Sequence, residues 1–425
     1  MARQLTFIHA ADLHLGAPFR GLRALSPVWG ERLLRAIPEA FGRVVQAAID
    51  QQVDFVVIAG DIFDVARPSY ADYRCFYDGV ERLAEKGIPV YLVAGNHDPY
   101  TSWKAGYGTL PDNAYFLSDD KPGYALYRRD GEPMCVLAGR GYYNQSFPVD
   151  ECVADGVSKA EAIAALGGDS SRAPFAVGVL HTGLDVDTNS AKAPISPTTL
   201  MSKDIDYWAL GHIHARSSYP KDNPRVCFSG VIQGRDINET GPRGVNLVTL
   251  TQGAPNTVRF IPCASVVWQQ CEVDISACET LVDVEKIVLQ RLFELNSQAY
   301  CEEMCTRVTL VGATALHTTL AEPGVLEDLR KAINASHDRF FCDALVNKTR
   351  NTRNYEALRA ADLFPAVVLD TADEQKDRRK DAASYLQAEF AAKGLGLPAC
   401  AVEDIRGLVD SARDDILDRL EGGAS

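Results

Sequence analysis

Histidine, aspartate and asparagine side chains follow five apolar runs of this sequence, close to the residue where each run ends. The composition of the runs is typical of buried strands. They cover residues 5–9, 54–59, 88–94, 177–180 and 207–210. The polar residues that follow are Asp12, His14, Asp61, Asn96, His97, His181, His212 and His214. Carboxylates, imidazoles and an amide oxygen together suit divalent ions such as Mn²⁺, Fe²⁺ or Zn²⁺, whereas Ca²⁺ favours oxygen ligands alone.

This number of donors would crowd a single ion, whereas two ions share them comfortably. Two cations roughly 3.5–4 Å apart repel each other, so a carboxylate between them is needed. Asp61 is the residue that we expect to bridge the ions. Water activated between two such ions attacks phosphorus in line, and the ions stabilise charge on the phosphoryl oxygens. The pattern therefore predicts two-metal phosphoester hydrolysis.

The elements that must position these residues are short strands alternating with helices. Apolar residues recur at helical spacing over residues 31–51 and 70–86. In layered α/β folds the loops at the carboxyl ends of the strands converge on one edge. Five of the eight histidines occupy this position after a strand, which makes coincidence a poor explanation. The other three lack this context and are assigned no role: His9, His317 and His337.

The pattern changes near residue 266. Strand-like runs at 266–273 and 306–311 alternate with helical spacing at 281–295 and 325–334, which predicts a small α+β module. The remainder is polar and helix-prone, with apolar residues at helical spacing in 405–420. Such a terminal helix packs on its own domain more often than on a partner. Three regions are therefore expected: residues 1–265, 266–345 and 346–425.

The whole-chain composition is that of a globular protein, with 46% hydrophobic and 24% charged residues. A net charge of −14 argues against a free-standing nucleic-acid binder, because duplex affinity comes largely from Lys and Arg. Any contact with DNA would need local patches or a partner. One basic stretch, with a solvated linker face as an equal alternative, contains Lys348, Arg350, Arg353 and Arg359. With no signal peptide or membrane-spanning run in the sequence, the cytoplasm is the expected location.

The five blocks resemble those of the calcineurin-like metallophosphoesterases in order and spacing. Within that superfamily, residues 8–16 and 59–64 look like the DNA-repair exonucleases of the SbcD type, and still more like their YhaO-type bacterial relatives. The close resemblance covers residues 1 to about 240. It implies an α/β fold, namely a metallophosphoesterase β-sandwich flanked by helices, followed by a small α+β capping domain and C-terminal helices.

The resemblance also implies roles for individual residues. The first metal would be bound by Asp12, His14 and His214. The second would be bound by Asn96, His181 and His212, with Asp61 shared. His97 would protonate the leaving oxygen or stabilise the transition state. Some members carry a second catalytic histidine three residues after the bridging aspartate, where this chain has Asp64. That role is then absent or differently supplied, and Asp64 would orient a ligand or cap the following turn.

The activity implied by the resemblance is that of a Mn²⁺-dependent DNA exonuclease and endonuclease in DNA repair, with Fe, Zn or Mg as alternative metals. The implied partner is a coiled-coil ATPase of the SbcC kind, docked by the C-terminal helices, and a homodimer is allowed. Two rival functions stay open. One is a phosphodiesterase for small nucleotides, which the acidic composition suits, and the other is a non-catalytic metal-binding partner subunit.

Overall fold

The structure, a computed structural model, contains two compact units. It describes residues 3–18, 26–65, 67–103, 107–184, 193–301, 303–361, 363–393 and 405–422. The first unit comprises Met1–Gln270, Phe293–Thr306 and His337–Asp343. The second unit comprises Cys271–Leu292, Arg307–Ser336 and Ala344–Ser425.

Two six-stranded sheets form most of the first unit. The first sheet contains, in spatial order, β12 (Thr257–Pro262), β11 (Gly244–Thr251), β1 (Gln4–Ala10), β2 (Phe55–Ala59), β3 (Val90–Val93) and β4 (Ala114–Phe116). The second contains β5 (Gly123–Arg129), β6 (Glu132–Arg140), β7 (Phe175–His181), β8 (Tyr207–Gly211), β10 (Val226–Phe228) and β9 (Ser217–Tyr219). Strands β1 to β4 run parallel, as do β6, β7, β8 and β10. The carboxyl ends of these parallel strands therefore lie at one edge of each sheet.

The two sheets pack face to face. Residues along a strand such as β2 alternate between a core that the two sheets share and a core on the outer face. In β2, Phe55 and Val57 join a cluster that includes Leu137 and Tyr207 of the second sheet. Their neighbour Val56 belongs to a separate cluster on the outer face of the first sheet. This period of two is the side-chain period of a strand, and it buries both faces of the sheet. The predicted β-sandwich is confirmed.

Helices cover the outer faces of both sheets. The helices α1 (Pro27–Asp50) and α2 (Tyr70–Ala84) pack on the first sheet, and α3 (Lys159–Leu166) and α4 (Pro197–Met201) on the second. Helix α1 begins before the predicted residue 31, because Ser26 caps it by accepting a hydrogen bond from Trp29 N and a proline occupies its first turn.

After the sandwich strands in sequence, the chain forms a three-stranded sheet with helices, in agreement with the predicted α+β character. Its strands, in spatial order, are β13 (Val266–Asp274), β14 (Glu303–Ala313) and β15 (Phe340–Arg350). Its helices are α5 (Leu281–Gln298), α6 (His317–Ala321) and α7 (Val325–Ala335). Strand β15 runs through residue 346, where the sequence placed a boundary, while the three-part division itself stays a prediction.

The end of the chain is helical. Its helices are α8 (Tyr355–Ala360), α9 (Phe364–Asp377), α10 (Arg379–Ala392) and α11 (Ile405–Gly422). Helix α11 packs within its own unit, since Leu417 is buried and the Tyr355 hydroxyl donates to Asp414 Oδ1 at 3.0 Å. In the part of the chain that the structure describes, no helix has both the length and the apolar character needed to cross a membrane.

His9, to which the sequence assigned no role, is fully buried between the two sheets. Its Nδ1 atom lies 2.9 Å from the Tyr207 hydroxyl, and its Nε2 atom lies 3.2 Å from the Leu210 carbonyl oxygen. One neutral tautomer satisfies both bonds, because Nε2 donates to the carbonyl and Nδ1 accepts from the hydroxyl. Burial lowers the pKa of His9 to about 3.

This pKa predicts that His9 makes the fold sensitive to acid. Below pH 6.5 the unfolded chain protonates this imidazole, whereas the folded chain does not until pH falls to about 3. Stability is therefore lost as pH falls, by about 2 kcal/mol between pH 6.5 and pH 5. The variant His9→Gln keeps a donor and an acceptor. Between pH 7 and pH 5 we expect its free energy of unfolding to fall by about 2 kcal/mol less than that of the wild type. Urea unfolding with a chelator present measures both proteins, and equal losses would refute the assignment.

Candidate metal centre

The predicted ligands lie at the end of β7, in the case of His181, or on the loops after β1, β2, β3 and β8, at the edge where the carboxyl ends of both sheets meet. Four of them adopt a backbone conformation that is unfavourable for residues other than glycine. Their φ values are +52° for Asp12, +50° for His14, +49° for Asp61 and +99° for His212. Such strain persists only where the surrounding fold imposes it, and it turns these side chains toward a common point.

Glycines next to the ligands permit this close packing. Gly60 has a φ of +86°, a conformation that a glycine adopts at no steric cost. Neither glycine has room for a side chain, because a Cβ atom would lie 2.4 Å from His181 Nδ1 at Gly60 and 2.0 Å from Asp61 Oδ1 at Gly95. Both glycines therefore allow the loops that carry Asp61 and Asn96 to pack closely against neighbouring ligands.

Seven predicted metal ligands form two adjoining groups. In the first group, Asp12, His14 and His214 place donor atoms within 4.8 Å of one another, and the two histidine Nε2 atoms are 3.2 Å apart. In the second group, Asp61, His181 and His212 meet the same 4.8 Å limit.

Asn96 completes the second group, and Asp61, already a member of that group, links it to the first. The Oδ1 atom of Asn96 lies 3.2 Å from His181 Nε2 and 3.0 Å from His212 Nδ1. The Oδ2 atom of Asp61 lies 3.4 Å from His181 Nε2 and 4.0 Å from His14 Nε2. Asp61 therefore lies within reach of both groups, and its role as a bridging ligand stays a prediction.

The chemistry of these donors fits two divalent cations. The Nδ1 atom of His181 donates to the Ala59 carbonyl oxygen at 2.9 Å, which leaves the lone pair of the neutral ring on Nε2. That lone pair faces two further acceptors, Asn96 Oδ1 and Asp61 Oδ2. Acceptors facing one another repel unless a proton or a cation lies between them. Burial alone would lower the pKa of His181, but the charge of Asp61 raises this pKa to about 9. When no metal is bound, a proton on Nε2 therefore lies between the imidazole and the two acceptors.

His97 lies beside the first group. Its backbone N–H donates to Asp61 Oδ1 at 2.9 Å, and its Nδ1 atom donates to the Asp64 carbonyl oxygen at 2.7 Å. The His97 ring lies edge-on to that of His14, with centroids 5.1 Å apart. Because Nδ1 is held by a carbonyl, Nε2 is the nitrogen with which this half-buried imidazole can transfer a proton.

Asp98 holds two ligand loops together, a role that sequence reasoning missed. Its carboxylate accepts hydrogen bonds from the backbone N–H groups of Ile62, Phe63 and Gly95 at 2.9 to 3.3 Å. These donors belong to the loops of Asp61 and Asn96. Burial, together with the charge of Asp61, raises the pKa of Asp98 to about 8. Asp98 follows His97 directly, but the sequence does not show that it faces backwards into the loops.

Sequence reasoning also missed Glu239 and Arg235, which follow β10. Glu239 Oε1 lies 2.6 Å from His214 Nδ1, and Arg235 Nη1 lies 2.8 Å from Asp64 Oδ1. Burial alone would raise the pKa of Glu239, but the hydrogen bond from His214 lowers it to about 2. The only signal in the sequence is a polar, glycine-bounded segment at 230–241 after a buried strand. Asp64, considered as a ligand-orienting residue, lies with Oδ1 3.1 Å from His14 Nδ1.

The sequence also contains two matches to known protein families. Residues 5–216 match the calcineurin-like phosphoesterases, and residues 268–350 match the middle domain of metallophosphoesterase YhaO.

Individual relatives extend over more of the chain. The uncharacterized metallophosphoesterase YhaO of Bacillus subtilis (strain 168) is 30% identical over 362 residues, which cover 83% of this chain and 84% of that protein. The DNA double-strand break repair protein Mre11 of Haloferax volcanii is 28% identical over 331 residues, which cover 75% of this chain and 65% of that protein. A solved dimetal phosphatase from Danio rerio is 13% identical, with a TM-score of 0.33, and the match covers 60% of this chain and 98% of that structure. The extent of the YhaO match confirms the resemblance: this chain belongs to the calcineurin-like metallophosphoesterases.

Proposed function

We propose that this metallophosphoesterase is a DNA nuclease that uses two Mn²⁺ ions. The observation that carries the proposal is the pair of donor groups that share Asp61, with His97 beside them. Asp12, His14 and His214 would hold one ion, and Asn96, His181 and His212 the other. Imidazole, carboxylate and amide donors suit Mn²⁺, with Fe, Zn or Mg as alternatives. When bound, the ions would activate water and neutralise the phosphoryl oxygens.

The residues of the chain supply the rest of the mechanism. Asp61 would keep the two donor groups at a fixed separation and, through Oδ1, hold the backbone of His97. His97 would then deliver a proton from Nε2 to the leaving oxygen, or stabilise the transition state there. Asp98 would keep the Asp61 and Asn96 loops in register through its three backbone hydrogen bonds.

Two exposed tyrosines beside the site support a substrate with bases. The rings of Tyr100 and Tyr143 are 6.2 Å apart and nearly parallel, at 22°, and they are 36% and 43% exposed. Their loops are joined by a hydrogen bond from Tyr100 N to the Tyr142 carbonyl oxygen at 2.9 Å. The Tyr142 ring in turn contacts the ring of His181, with centroids 5.6 Å apart. Aromatic faces close to a phosphodiesterase centre offer stacking surfaces to unpaired bases.

The basic stretch considered in the sequence does not support DNA binding. Arg353 forms an ion pair with Asp418, and Arg359 lies 3.3 Å from Asp370 and also contacts Asp373. The acidic helices α9 and α11 therefore neutralise two of its four basic residues. DNA contacts of the proposed enzyme would come from the tyrosine pair and the metal ions instead.

The tyrosine pair gives a test that separates DNA from small substrates. We expect wild-type protein with Mn²⁺ to degrade end-labelled single-stranded DNA, and Tyr100→Ala to raise the KM for that DNA about tenfold, since stacking on one base is worth about 1–3 kcal/mol. Hydrolysis of bis(p-nitrophenyl) phosphate should not change. Tyr219→Ala is the matched control, because Tyr219 is 53% exposed and pairs with Val226 at the opposite end of β10 from the site.

The same assay decides between the proposal and its rivals. Intact DNA combined with rapid cleavage of small diesters would indicate a phosphodiesterase for small nucleotides, which the net charge of −14 favours. Bound ions without hydrolysis of either substrate would indicate a non-catalytic subunit. Repeating the assay with Mn²⁺, Fe²⁺, Zn²⁺ and Mg²⁺ identifies the active metal.

We also propose that the C-terminal helices bind an SbcC-like coiled-coil ATPase. An apolar groove of about 380 Å³ runs between α9 and α11, lined by residues that include Phe364, Val367, Ala412 and Ile416. Phe364 and Val367 are 61% and 57% exposed, which is unusual for side chains of their size. Grooves of this kind accept the apolar face of a helix. A homodimer, which the resemblance also allows, stays a prediction.

A charge in the groove should abolish this association. We expect Phe364→Glu to lower the affinity for the purified ATPase by at least about a hundredfold, because a buried aromatic anchor is worth roughly 2–4 kcal/mol. Isothermal titration calorimetry measures it, and hydrolysis of bis(p-nitrophenyl) phosphate should persist. Tyr385→Glu is the control, since Tyr385 is 66% exposed and does not line the groove. Unchanged binding by Phe364→Glu would exclude this docking site.

A further inference from the structure

Both imidazoles of the first donor group have a carboxylate behind them. His214 Nδ1 lies 2.6 Å from Glu239 Oε1, and His14 Nδ1 lies 3.1 Å from Asp64 Oδ1, although the latter contact lacks hydrogen-bond geometry. The Nε2 atoms of the same two rings approach each other to 3.2 Å on the opposite side. Each carboxylate therefore favours a proton on Nδ1 and leaves the Nε2 lone pair available for a cation.

Arg235 joins the two carboxylates. Its Nη1 atom lies 2.8 Å from Asp64 Oδ1 and its Nη2 atom lies 3.4 Å from Glu239 Oε1. Its backbone N–H also donates to Glu239 Oε2 at 2.7 Å. The carboxylate side chains are only 15% and 11% exposed, so water screens these interactions little. The loop after β10 is thereby fixed to the loop after β2, each of which supports one ligand.

The second donor group is supported differently. His181 Nδ1 donates to the neutral backbone carbonyl of Ala59 at 2.9 Å rather than to a carboxylate. A carboxylate partner fixes the orientation of an imidazole and also raises its basicity, and both effects strengthen metal binding. A neutral carbonyl provides the orientation with less increase in basicity. The two groups already differ in one direct donor, since Asp12 is a carboxylate and Asn96 a neutral amide, and they differ again in what lies behind His14 and His214 on the one side and His181 on the other.

We infer that Asp64 and Glu239, joined by Arg235, are positioning residues that make the first donor group the tighter of two cation sites. The inference rests on the two-metal centre of the proposed function. It also gives a role to Asp64, which stands where some related nucleases carry a second catalytic histidine. In this chain the position supports a ligand from behind.

The test measures metal binding by the full-length chain after treatment with a chelator. Calorimetric titration with MnCl₂ should resolve two binding events of unequal affinity in the wild type. Glu239→Gln and Asp64→Asn, which preserve shape, should each weaken the tighter event about 10- to 100-fold and leave the weaker event unchanged. Asp236→Asn is the matched control, since Asp236 is exposed and lies three residues from Glu239, and its carboxylate accepts a hydrogen bond from Asn238 N in the described contacts.

Thermal unfolding of the metal-free variants separates a local effect from a folding defect. A variant that melts like the wild type but shows a weakened tighter binding event supports the inference. Because the two substitutions lie on separate loops, one variant that melts like the wild type is sufficient for the test. Two events of equal affinity in the wild type, unchanged binding by both variants, or equal weakening of both events would overturn it. The titration does not depend on hydrolysis. A wild type that binds two ions but does not degrade DNA in the separate nuclease assay would therefore refute the proposed nuclease function and not this inference.

Discussion

Asp61→Asn will abolish phosphodiester hydrolysis, with a fall in kcat of at least about a thousandfold, equivalent to about 4 kcal/mol. The Oδ2 atom of Asp61 lies within 4.0 Å of an imidazole from each donor group, and its Oδ1 atom accepts a hydrogen bond from the backbone N–H of His97. Asparagine preserves the size of the side chain but removes the negative charge that two neighbouring cations need between them. One substitution would therefore disturb both ions and the adjacent imidazole.

Hydrolysis of bis(p-nitrophenyl) phosphate with Mn²⁺, together with the metal content of the protein, measures this effect. We expect Asp61→Asn to retain fewer than two ions and no measurable turnover. Asp236→Asn, the same chemical change on an exposed residue of a neighbouring loop, should behave like the wild type. A variant that bound two ions and kept a tenth of the activity would show that Asp61 does not bridge the ions.

His97→Ala will lower kcat for DNA by about 10²- to 10⁴-fold while two ions remain bound, because general acid catalysis contributes that much. His97 is not one of the seven residues that we expect to hold the ions. Its Nδ1 atom is committed to the Asp64 carbonyl, and its backbone N–H bond to Asp61 survives the substitution. The loss would therefore fall on the chemical step rather than on metal binding.

The leaving group distinguishes the two roles considered for His97. If this imidazole protonates the leaving oxygen, the loss should be much smaller for a p-nitrophenyl diester, whose leaving group departs without a proton. Similar losses on both substrates would indicate stabilisation of the transition state instead. His337→Ala, which changes a histidine without a predicted role, is the control. Full activity of His97→Ala would remove His97 from the mechanism.

The sequence by itself determined the strands, the loops that follow them and the residue types on those loops. Burial imposes a local period on the chain, so apolar runs such as 54–59 identify a strand to within a residue or two. Asp61 and His181, which follow such runs, could thus be expected at a common edge. Their mutual distance of 3.4 Å agrees with that expectation.

Tertiary structure alone decided what supports those residues. Arg235 meets Asp64 across 171 positions of sequence, and Glu239 meets His214 across 25, and neither separation corresponds to any local period. The same holds for Arg353, whose charge contributed to a basic stretch in the sequence but is neutralised by Asp418 in the fold. The fold brings electrostatic partners together from distant parts of the sequence. Periodicity in the sequence indicates only which side of an element faces the interior. For that reason the donors were predictable, whereas the carboxylates behind them became evident only when the loops after β2 and β10 came together.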